Sequence, residues 1–373
     1  MKLSILQENL AHGVTAVSRA VAAKAQLPVL ANILLATEGG KLKLSATNLE
    51  TGITVWLNAK VERAGKVTVP GRVFGELVTS LPQEAVELTV SEEKVQVKSG
   101  AYRATVNGIS AEEFPEVPTL AGKKAAGELG LDGAALSEAV SLVAFAAGTD
   151  EARPIFTGVK MEFSKKGLRL AATDGYRLSV KSLPGSKIKG AGKEMVVPAR
   201  ALTELTKMLK DEEGEEVRLA ATDKEKQLIM SLDGVEVVTR LLEGDFPDFD
   251  KIVPGSSKTK LELETEELHQ AVRAAAIFAR DSANIVKFKI EKDKLTVTAN
   301  APQVGENEIG VAIKKTGEDS EVAFNSRYLL EMLSAVTAER LGLELSGPLS
   351  PGMFRAAGDD SWLHIIMPVR VQG

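Results

Sequence analysis

Apolar residues follow a helical spacing in two kinds of segment, and each kind occurs three times along the chain. Segments of the first kind place apolar residues at offsets of three and seven, which puts them on one face of a helix. They begin with VTVPGR at Val67, MVVPAR at Met195 and VAFNSR at Val322. Segments of the second kind have apolar offsets of four, seven and eleven and begin at Leu10, Leu136 and Leu268. The pattern predicts two helices in each of three copies.

Between the helices, apolar and polar residues alternate in runs that are typical of antiparallel strands. The runs KLKLSATNLETGITVWL, GLRLAATDGYRLSV and KLTVTANAPQVGENEIGV each contain a Thr-Asn, Thr-Asp or Ala-Asn step, where a hairpin turn is expected. One repeat spans about 125 residues, which is long for a solenoid unit and suitable for a domain with its own core. We therefore predict an α+β fold of three structurally repeated domains, at residues 1–121, 128–253 and 258–373. Asp132 and Thr265 are expected to act as N-caps of helices in the second and third copies.

Composition narrows the cellular setting and the possible chemistry. The 373-residue chain contains no cysteine, which excludes disulfides and cysteine-ligated metal and is typical of a reducing cytoplasm. No apolar run reaches the ~18 residues of a membrane span, and the N-terminal MKLSILQENLAHGV is unlike a signal peptide. We therefore expect a cytoplasmic protein that does not bind membranes. The net charge of −5 argues against an overall basic surface but permits a locally basic channel.

No catalytic constellation is recognisable in the sequence. The three histidines, His12, His269 and His364, are far apart, and the HExxH, P-loop, GxSxG and GxGxxG motifs are absent. The carboxylates of DFPDFD could hold a metal ion, but we favour a proline-containing turn with solvated side chains. The prediction is a non-catalytic protein without a metal or another cofactor. An enzyme whose site is too diffuse to recognise is the alternative.

The three segments of the first kind each carry an arginine followed four positions later by a glutamate. This pattern has two interpretations. Each pair could form a local ion pair, or one partner could face DNA phosphate. The pairs are Arg72–Glu76, Arg200–Glu204 and Arg327–Glu331. Lysines in loops are further candidates for phosphate contacts, because they act as mobile point charges. They are Lys24, Lys181, Lys187, Lys189 and Lys193.

Several phrases together resemble the bacterial β sliding clamp family, the processivity subunit of DNA polymerase III. They are SATNLE, VPGR, ATDGYRLSV, VPAR, GDFPDFDKIVP and MPVR, and they extend over nearly the whole chain. The resemblance implies a head-to-tail homodimer, in which six clamp domains form a ring with helices inside and antiparallel sheets outside; rotational assembly of a repeated domain favours such a closed ring. It implies double-stranded DNA, bound without sequence preference, as one partner. The other partners would be the polymerase catalytic subunit, the clamp loader, other polymerases and repair proteins.

The resemblance also implies a hydrophobic pocket between the second and third domains for short extended peptides containing Gln, Leu and an aromatic residue. Carried over by position, its residues are Arg153, Phe156, Thr173, Gly175, Tyr176, Arg177, Leu178, Pro247, Lys251, Ile252, Asn325, Tyr328, Ile365, Ile366, Met367, Pro368, Val369 and Arg370. For the segment 365–367, the residues alone favour an ordinary core strand. The dimer contact would involve Arg103, Ala104, Val106, Ile277, Phe278, Glu306 and Glu308. The residues chosen for DNA contact are Lys24, Arg72 and Arg200.

The sequence departs from the family pattern at a few positions. Lysine stands at positions 24 and 251, where the family often has arginine, and Ala104 stands where relatives can have an aromatic residue. Residues 371–373 extend past the usual ending and would crowd the mouth of the pocket. A ring-shaped scaffold that binds peptides but no nucleic acid is the main alternative function. An acidic surface on the helices that face the hole would favour that alternative.

Overall fold

The structure is a computed structural model and describes residues 1–22, 27–121, 128–184, 193–209, 216–222 and 226–370. The alternating runs form antiparallel ladders, as their period of two predicted. The helical segments form α-helices in all three copies. No helix in the described ranges is long and apolar enough to cross a membrane.

The three copies have the same order of elements, apart from one short strand that the second copy lacks in the described ranges. The first copy contains β1 (Lys2–Leu6), α1 (Gln7–Ser18), β2 (Asn32–Glu38), β3 (Lys41–Thr47), β4 (Thr51–Asn58), β5 (Lys60–Arg63), β6 (Lys66–Pro70), α2 (Gly71–Ser80), β7 (Ala85–Ser91), β8 (Lys94–Ser99) and β9 (Tyr102–Asn107). The second contains β10 (Glu128–Asp132), α3 (Gly133–Val143), β11 (Gly158–Ser164), β12 (Gly167–Thr173), β13 (Arg177–Pro184), β14 (Glu194–Pro198), α4 (Ala199–Leu209), β15 (Glu216–Thr222), β16 (Gln227–Leu232) and β17 (Val235–Arg240).

The third copy follows the order of the first. It contains β18 (Thr259–Glu264), α5 (Thr265–Ala279), β19 (Ile285–Glu291), β20 (Lys294–Ala301), β21 (Gly305–Ala312), β22 (Lys314–Gly317), β23 (Ser320–Asn325), α6 (Ser326–Ala335), β24 (Arg340–Leu345), β25 (Gly352–Ala356) and β26 (Asp359–Ile366). Short 3₁₀ helices lie at Pro28–Ala31, Ala144–Ala146, Pro154–Thr157 and Phe249–Lys251.

Packing joins these elements into two compact units. The first unit contains the strands of the first copy together with β10 and β15–β17, and the second contains β11–β14 together with the third copy. The units cut across the copies because the sheets do: a sheet built by one copy continues into strands of the next. The bounds of three domains at 1–121, 128–253 and 258–373 stay a prediction.

The first unit contains two sheets, in the orders β5-β1-β7-β8-β9 and β10-β15-β16-β17-β4-β3-β2-β6. Strands β4 and β17 join the two copies within the second of these sheets, with Val55 opposite Val235. Helix α1 buries its predicted apolar face against α2, β3 and β4. A Cβ at Gly13 would lie 2.7 Å from a methyl carbon of Leu57, so glycine allows the helix to approach β4 this closely.

The second unit contains a nine-stranded sheet in the order β14-β11-β12-β13-β26-β25-β24-β18-β22 and a four-stranded sheet in the order β21-β20-β19-β23. Strands β13 and β26 join the second and third copies, with Lys181 opposite Trp362. The core includes Phe288, Phe324 and Phe354, all fully buried, and the rings of the first two meet edge to face at 5.6 Å. The strand pairing that joins neighbouring copies, which we call the joint, is thus the same in both units. In each, the third strand after the first helix of one copy pairs with the last strand of the next copy.

Two details of the helices differ from the sequence prediction. The apolar spacing that begins at Leu10 continues to Val21, but α1 ends at Ser18 and the next residues continue with i→i+3 hydrogen bonds, as helix ends often do. Thr265 is not the N-cap of α5. It is the first helical residue, and its hydroxyl donates to the carbonyl of Ala338 at 2.6 Å.

Candidate functional site

The turn between β12 and β13 presents an aromatic side chain to solvent. Asp174 accepts hydrogen bonds on one carboxylate oxygen from the backbone N–H groups of Tyr176 at 2.8 Å and Arg177 at 3.0 Å, which is an Asx turn. Gly175 has a φ of +93°, a conformation that glycine adopts without steric cost. The ring of Tyr176 is 59% exposed as a result. The Asp-Gly step therefore fixes the shape of the turn.

The guanidinium of Arg177 points into the protein and is fully engaged. Its Nε donates to Asp174 at 3.0 Å, one terminal nitrogen donates to Glu331, and the other donates to the carbonyl of Phe145 at 2.7 Å. It also stacks over the ring of Tyr328, 4.6 Å from the ring centroid. A buried cation needs such partners, so Arg177 ties the turn to α6 instead of extending towards a ligand.

The C-terminal strand places the end of the described chain beside this turn. Ile365 and Ile366 of β26 are buried and lie opposite Leu178 and Arg177, as an ordinary core strand would place them. Beyond the strand, the N–H of Met367 donates to the carbonyl of Tyr176 at 2.8 Å. The Met367 side chain is 40% exposed. The predicted pocket residues of this segment thus divide into two buried isoleucines and an exposed methionine.

A buried apolar cluster includes residues close in sequence to these exposed side chains. It contains Leu178, Phe249 and Ile365, with Phe246 packed against it. Ile252, just after the 3₁₀ helix Phe249–Lys251, is 37% exposed. We call the exposed side chains of Tyr176, Ile252 and Met367, together with this buried cluster, the apolar surface patch.

Two of the three carboxylates of DFPDFD pair with cations. Asp248 accepts from Lys251 at 2.8 Å, and Asp250 forms a bidentate pair with Arg169. The hydrogen bond from Arg169 lowers the pKa of Asp250. No cluster of potential metal ligands occurs in the described residues. Residues 245–248 form no turn; they lead into the 3₁₀ helix Phe249–Lys251. Asp250 holds Arg169 over the ring of Phe249, 4.6 Å from the centroid.

The remaining residues predicted for the pocket surround the turn and α6. Arg153 stacks on Phe156 at 5.2 Å, and its guanidinium lies 3.9 Å from the Cβ position of Gly175. Asn325 accepts from the N–H of Arg327 at 2.9 Å and so caps α6. The other members occupy the same segments: Thr173 is buried, Pro247, Pro368 and Val369 are half-buried, and Lys251 and Arg370 are exposed. The predicted pocket residues thus come from five separate segments of the chain.

The charged helix residues behave differently from copy to copy. Arg72 and Glu76 form the predicted local ion pair, at 2.9 Å, on a fully exposed part of α2. Glu204 instead pairs with Arg19 at 3.0 Å, and Glu331 pairs with Arg177. Of the two interpretations, the local ion pair therefore applies to the first copy only, because the glutamates of the second and third copies have tertiary partners.

Because Glu204 and Glu331 pair elsewhere, two helical arginines remain as candidates for phosphate contact. Arg200 and Arg327 are exposed and form no ion pair with another described residue. Lys181 is buried between Glu138 at 3.2 Å and Asp359 at 2.9 Å, so it is unsuited to contact phosphate. Lys24, Lys187 and Lys189 lie outside the described residues.

Residues predicted for the dimer contact lie on two terminal strands and one helix. Strand β9 ends the five-stranded sheet and carries exposed Arg103, half-buried Ala104 and buried Val106. Strand β21 ends the four-stranded sheet and carries exposed Glu306 and Glu308. On α5, Ile277 is 58% exposed, and the ring of Phe278 approaches the Cβ position of Gly305 at 3.7 Å.

Comparisons with known proteins agree with these observations. Family profiles of the DNA polymerase III beta subunit match in order: the N-terminal domain at residues 1–118, the central domain at 130–248 and the C-terminal domain at 250–370. The beta sliding clamp of Synechococcus elongatus is 31% identical, with 100% of both chains covered. The chain belongs to the bacterial β sliding clamp family. This family consists of processivity subunits without catalytic activity, which confirms the prediction that the chain is not an enzyme.

Solved clamps share the fold over the full chain. The sliding clamp from Bacillus subtilis has a TM-score of 0.93 at 26% identity, with 100% of both chains covered. A clamp from Pseudomonas aeruginosa, solved bound to griselimycin, has the same TM-score and identity, also with 100% of both chains covered. The predicted α+β fold of three repeated clamp domains is confirmed by these similarities.

Sequence reasoning missed three residues that shape this part of the clamp chain. Asp174 could have been found, since an Asx turn is readable from Thr-Asp-Gly. Glu331 could not have been found, because the spacing along the helix indicated Arg327, not Arg177, as its ion-pair partner. Phe249 lay within a segment quoted for the resemblance but was not predicted as the floor of the apolar surface patch.

Proposed function

We propose that two copies of this chain join head to tail into a closed ring around duplex DNA and tether polymerases and repair proteins to it. The observation that supports this most directly is a recurring strand joint. Strand β4 of the first copy pairs with β17 of the second, and β13 of the second pairs with β26 of the third. The corresponding strands left at sheet ends are β21 and β9. A second chain would supply the partner for each.

The first joint predicts the register of the joint between chains. Val55 of β4 and Ile309 of β21 are equivalent, because they pair with the buried residues Leu44 and Val297 at the same place in the preceding strands. Val55 lies opposite the first residue of β17. Ile309 is therefore expected opposite Tyr102, the first residue of β9, in the other chain.

This register places complementary charges together. One position along, Arg103 would lie opposite Glu308, and Ala104 would lie opposite Asn307. Cross-strand pairs of opposite charge stabilise a sheet and fix its register. Exposed Ile277 on α5 would add apolar burial at the same contact. The main-chain hydrogen bonds of an added strand supply the rest of the affinity.

Cross-linking tests the joint, and the absence of cysteine makes the test clean. The double variant Ala104→Cys/Asn307→Cys is expected to give a covalent dimer with a short bismaleimide, seen on a denaturing gel. The control Ala104→Cys/Leu349→Cys places the second thiol on an exposed loop residue and should remain largely monomeric on the gel. Equal, low cross-linking of both variants, with a monomer in sedimentation velocity, would refute the joint.

The apolar surface patch is the proposed site for partner peptides. A leucine and an aromatic side chain of the peptide would cover Tyr176, Ile252 and Met367 and contact the floor formed by Leu178 and Phe249. Burial at ~25 cal/mol per Å² of apolar surface would supply most of the affinity before ordering costs. The hydrogen bonds of the Arg177 guanidinium support this role, because they hold the turn in place before any peptide binds.

The ring would need few side-chain contacts with DNA. A ring holds DNA by topology, so a chain with a net charge of −5 needs only local cations near phosphate. Arg200 and Arg327 are the described helical candidates that remain after the ion pairs are assigned. Arg72, which is engaged by Glu76, would contribute less. Lys24 stays a prediction.

A further inference from the structure

A cavity of about 140 Å³ lies in the first unit between α1, α4 and the sheet. Its apolar walls are Ala16, Met208, Leu232 and Val235, and its polar side is formed by His12, Thr15 and Arg19. These residues are remote in sequence and in role from the apolar surface patch and from the strands β9 and β21. The proposed ring function does not use this cavity.

The second unit fills the equivalent space with an indole. Val235 and Trp362 are equivalent, because they lie opposite Val55 and Lys181, which hold the same place in β4 and β13. Trp362 is 1% exposed, and its Nε1 donates to the carbonyl of Leu142 on α3 at 3.2 Å. The fold therefore has room for an aromatic ring at this joint. In the first unit, valine leaves that room empty.

Arg19 gives the cavity a specific polar requirement. One terminal nitrogen of its guanidinium donates to Glu204 at 3.0 Å, but its Nε is buried and has no hydrogen-bond partner among the described residues. Lys207 also pairs with Glu204, at 2.8 Å. Two cations thus share one carboxylate, so the local charge favours an anionic acceptor.

We propose that this cavity binds a small aromatic carboxylate, with its ring between Met208, Leu232 and Val235 and its carboxylate accepting from the Nε of Arg19. The size supports a single ring, since an apolar cavity of about 150 Å³ in another protein holds benzene. The ligand would replace the contacts that Trp362 makes in the second unit. It would also satisfy the unpaired donor of Arg19.

Benzoate is the probe, and the methyl group of Met208 is the reporter. In methionine-methyl-labelled protein, benzoate is expected to shift the Met208 resonance with a dissociation constant in about the millimolar range. The variant Val235→Trp fills the cavity as Trp362 does and should weaken binding by at least about tenfold. The control Val73→Trp adds an indole on an exposed helix face and should leave binding unchanged.

A second variant tests the polar contact without relying on the folding of Val235→Trp. Arg19→Met keeps an unbranched apolar stem and removes the Nε donor, so it should weaken benzoate binding about tenfold. Benzyl alcohol, which lacks the carboxylate, should bind both forms within about twofold. An unmoved Met208 methyl at tens of millimolar benzoate, or equal benzoate affinity in Val235→Trp and Val73→Trp, would overturn the proposal.

Discussion

Two buried polar side chains of the second unit, Arg177 and His364, are accommodated in opposite ways. Arg177 keeps its charge because Asp174, Glu331 and a backbone carbonyl accept from it. His364 is fully buried between aromatic rings, 5.1 Å from Phe145, and neither ring nitrogen has a hydrogen-bond partner among the described residues. Burial, with a smaller contribution from Arg177, lowers the pKa of His364 to about 3. The histidine is therefore a neutral core residue.

This pKa makes the stability of the fold depend on pH. Below about pH 6.5 the unfolded chain binds a proton at this histidine, whereas the folded chain excludes it until the pH approaches about 3. The free energy of unfolding should thus fall by about 1.4 kcal/mol per pH unit below 6.5 from this group alone. Denaturant unfolding of the parent and of His364→Phe at pH 6.5 and 5 measures the difference, expected to be about 2 kcal/mol.

Histidine loss as such needs its own control. His12→Phe replaces an exposed histidine and should keep the pH dependence of the parent. If His364→Phe and the parent lose stability in parallel as the pH falls, the neutral state of the buried imidazole is wrong.

Met367 and Pro368 test the assignment of the apolar surface patch. The double variant Met367→Ala/Pro368→Ala removes exposed apolar area and loosens the chain beside Tyr176, so a Gln-Leu-aromatic peptide should bind at least about tenfold more weakly. Fluorescence anisotropy of a labelled peptide measures this. Pro348→Ala/Leu349→Ala, a matched exposed pair on another loop, is the control. Unchanged peptide affinity in the first variant, with the dimer intact, would place the peptide site elsewhere.

At the scale of elements, the sequence predicted the helices and hairpins and missed the ion pairs between distant elements. The helical and alternating spacings found the helices and hairpins named from them, because each pattern reflects one buried face. The turn expected at the Ala-Asn step of the third copy is wrong: Ala299 and Asn300 lie within β20, opposite Asn307 and Glu306. Helix ends were less predictable: the apolar spacing of α1 runs on to Val21, beyond the last helical turn. The partners of Glu204 and Glu331 come from α1 and β13, which no spacing along the helix could indicate.

The candidate site shows the same division. The exposed residues of the apolar surface patch were named through the family resemblance, since the residues at 365–367 alone favoured a core strand. Both interpretations hold in part: Ile365 and Ile366 are buried, and Met367 is exposed. The role of Arg177 as an internal brace depends on Asp174 in its own turn and on two acceptors from distant segments, Glu331 and the carbonyl of Phe145. Only coordinates could supply that information.

At the scale of the whole molecule, the proposed ring depends on the repeated joint between strands and on DNA being held by topology. Topological binding differs from electrostatic binding in its response to salt, because counterion release weakens phosphate contacts steeply as salt rises. A closed ring that surrounds DNA should be insensitive to salt and sensitive to DNA ends. That contrast separates the ring from a basic surface patch and from a peptide-binding scaffold without DNA.

The most direct measurement uses the Ala104→Cys/Asn307→Cys variant on nicked circular DNA. The protein is mixed with the circle, cross-linked with the bismaleimide and passed over a sizing column in high salt, and the DNA is then cut once. If the dimer encircles DNA, cross-linked protein elutes with the circle and leaves it when the circle is made linear. Equal loss of the protein from circular and linear DNA would contradict it.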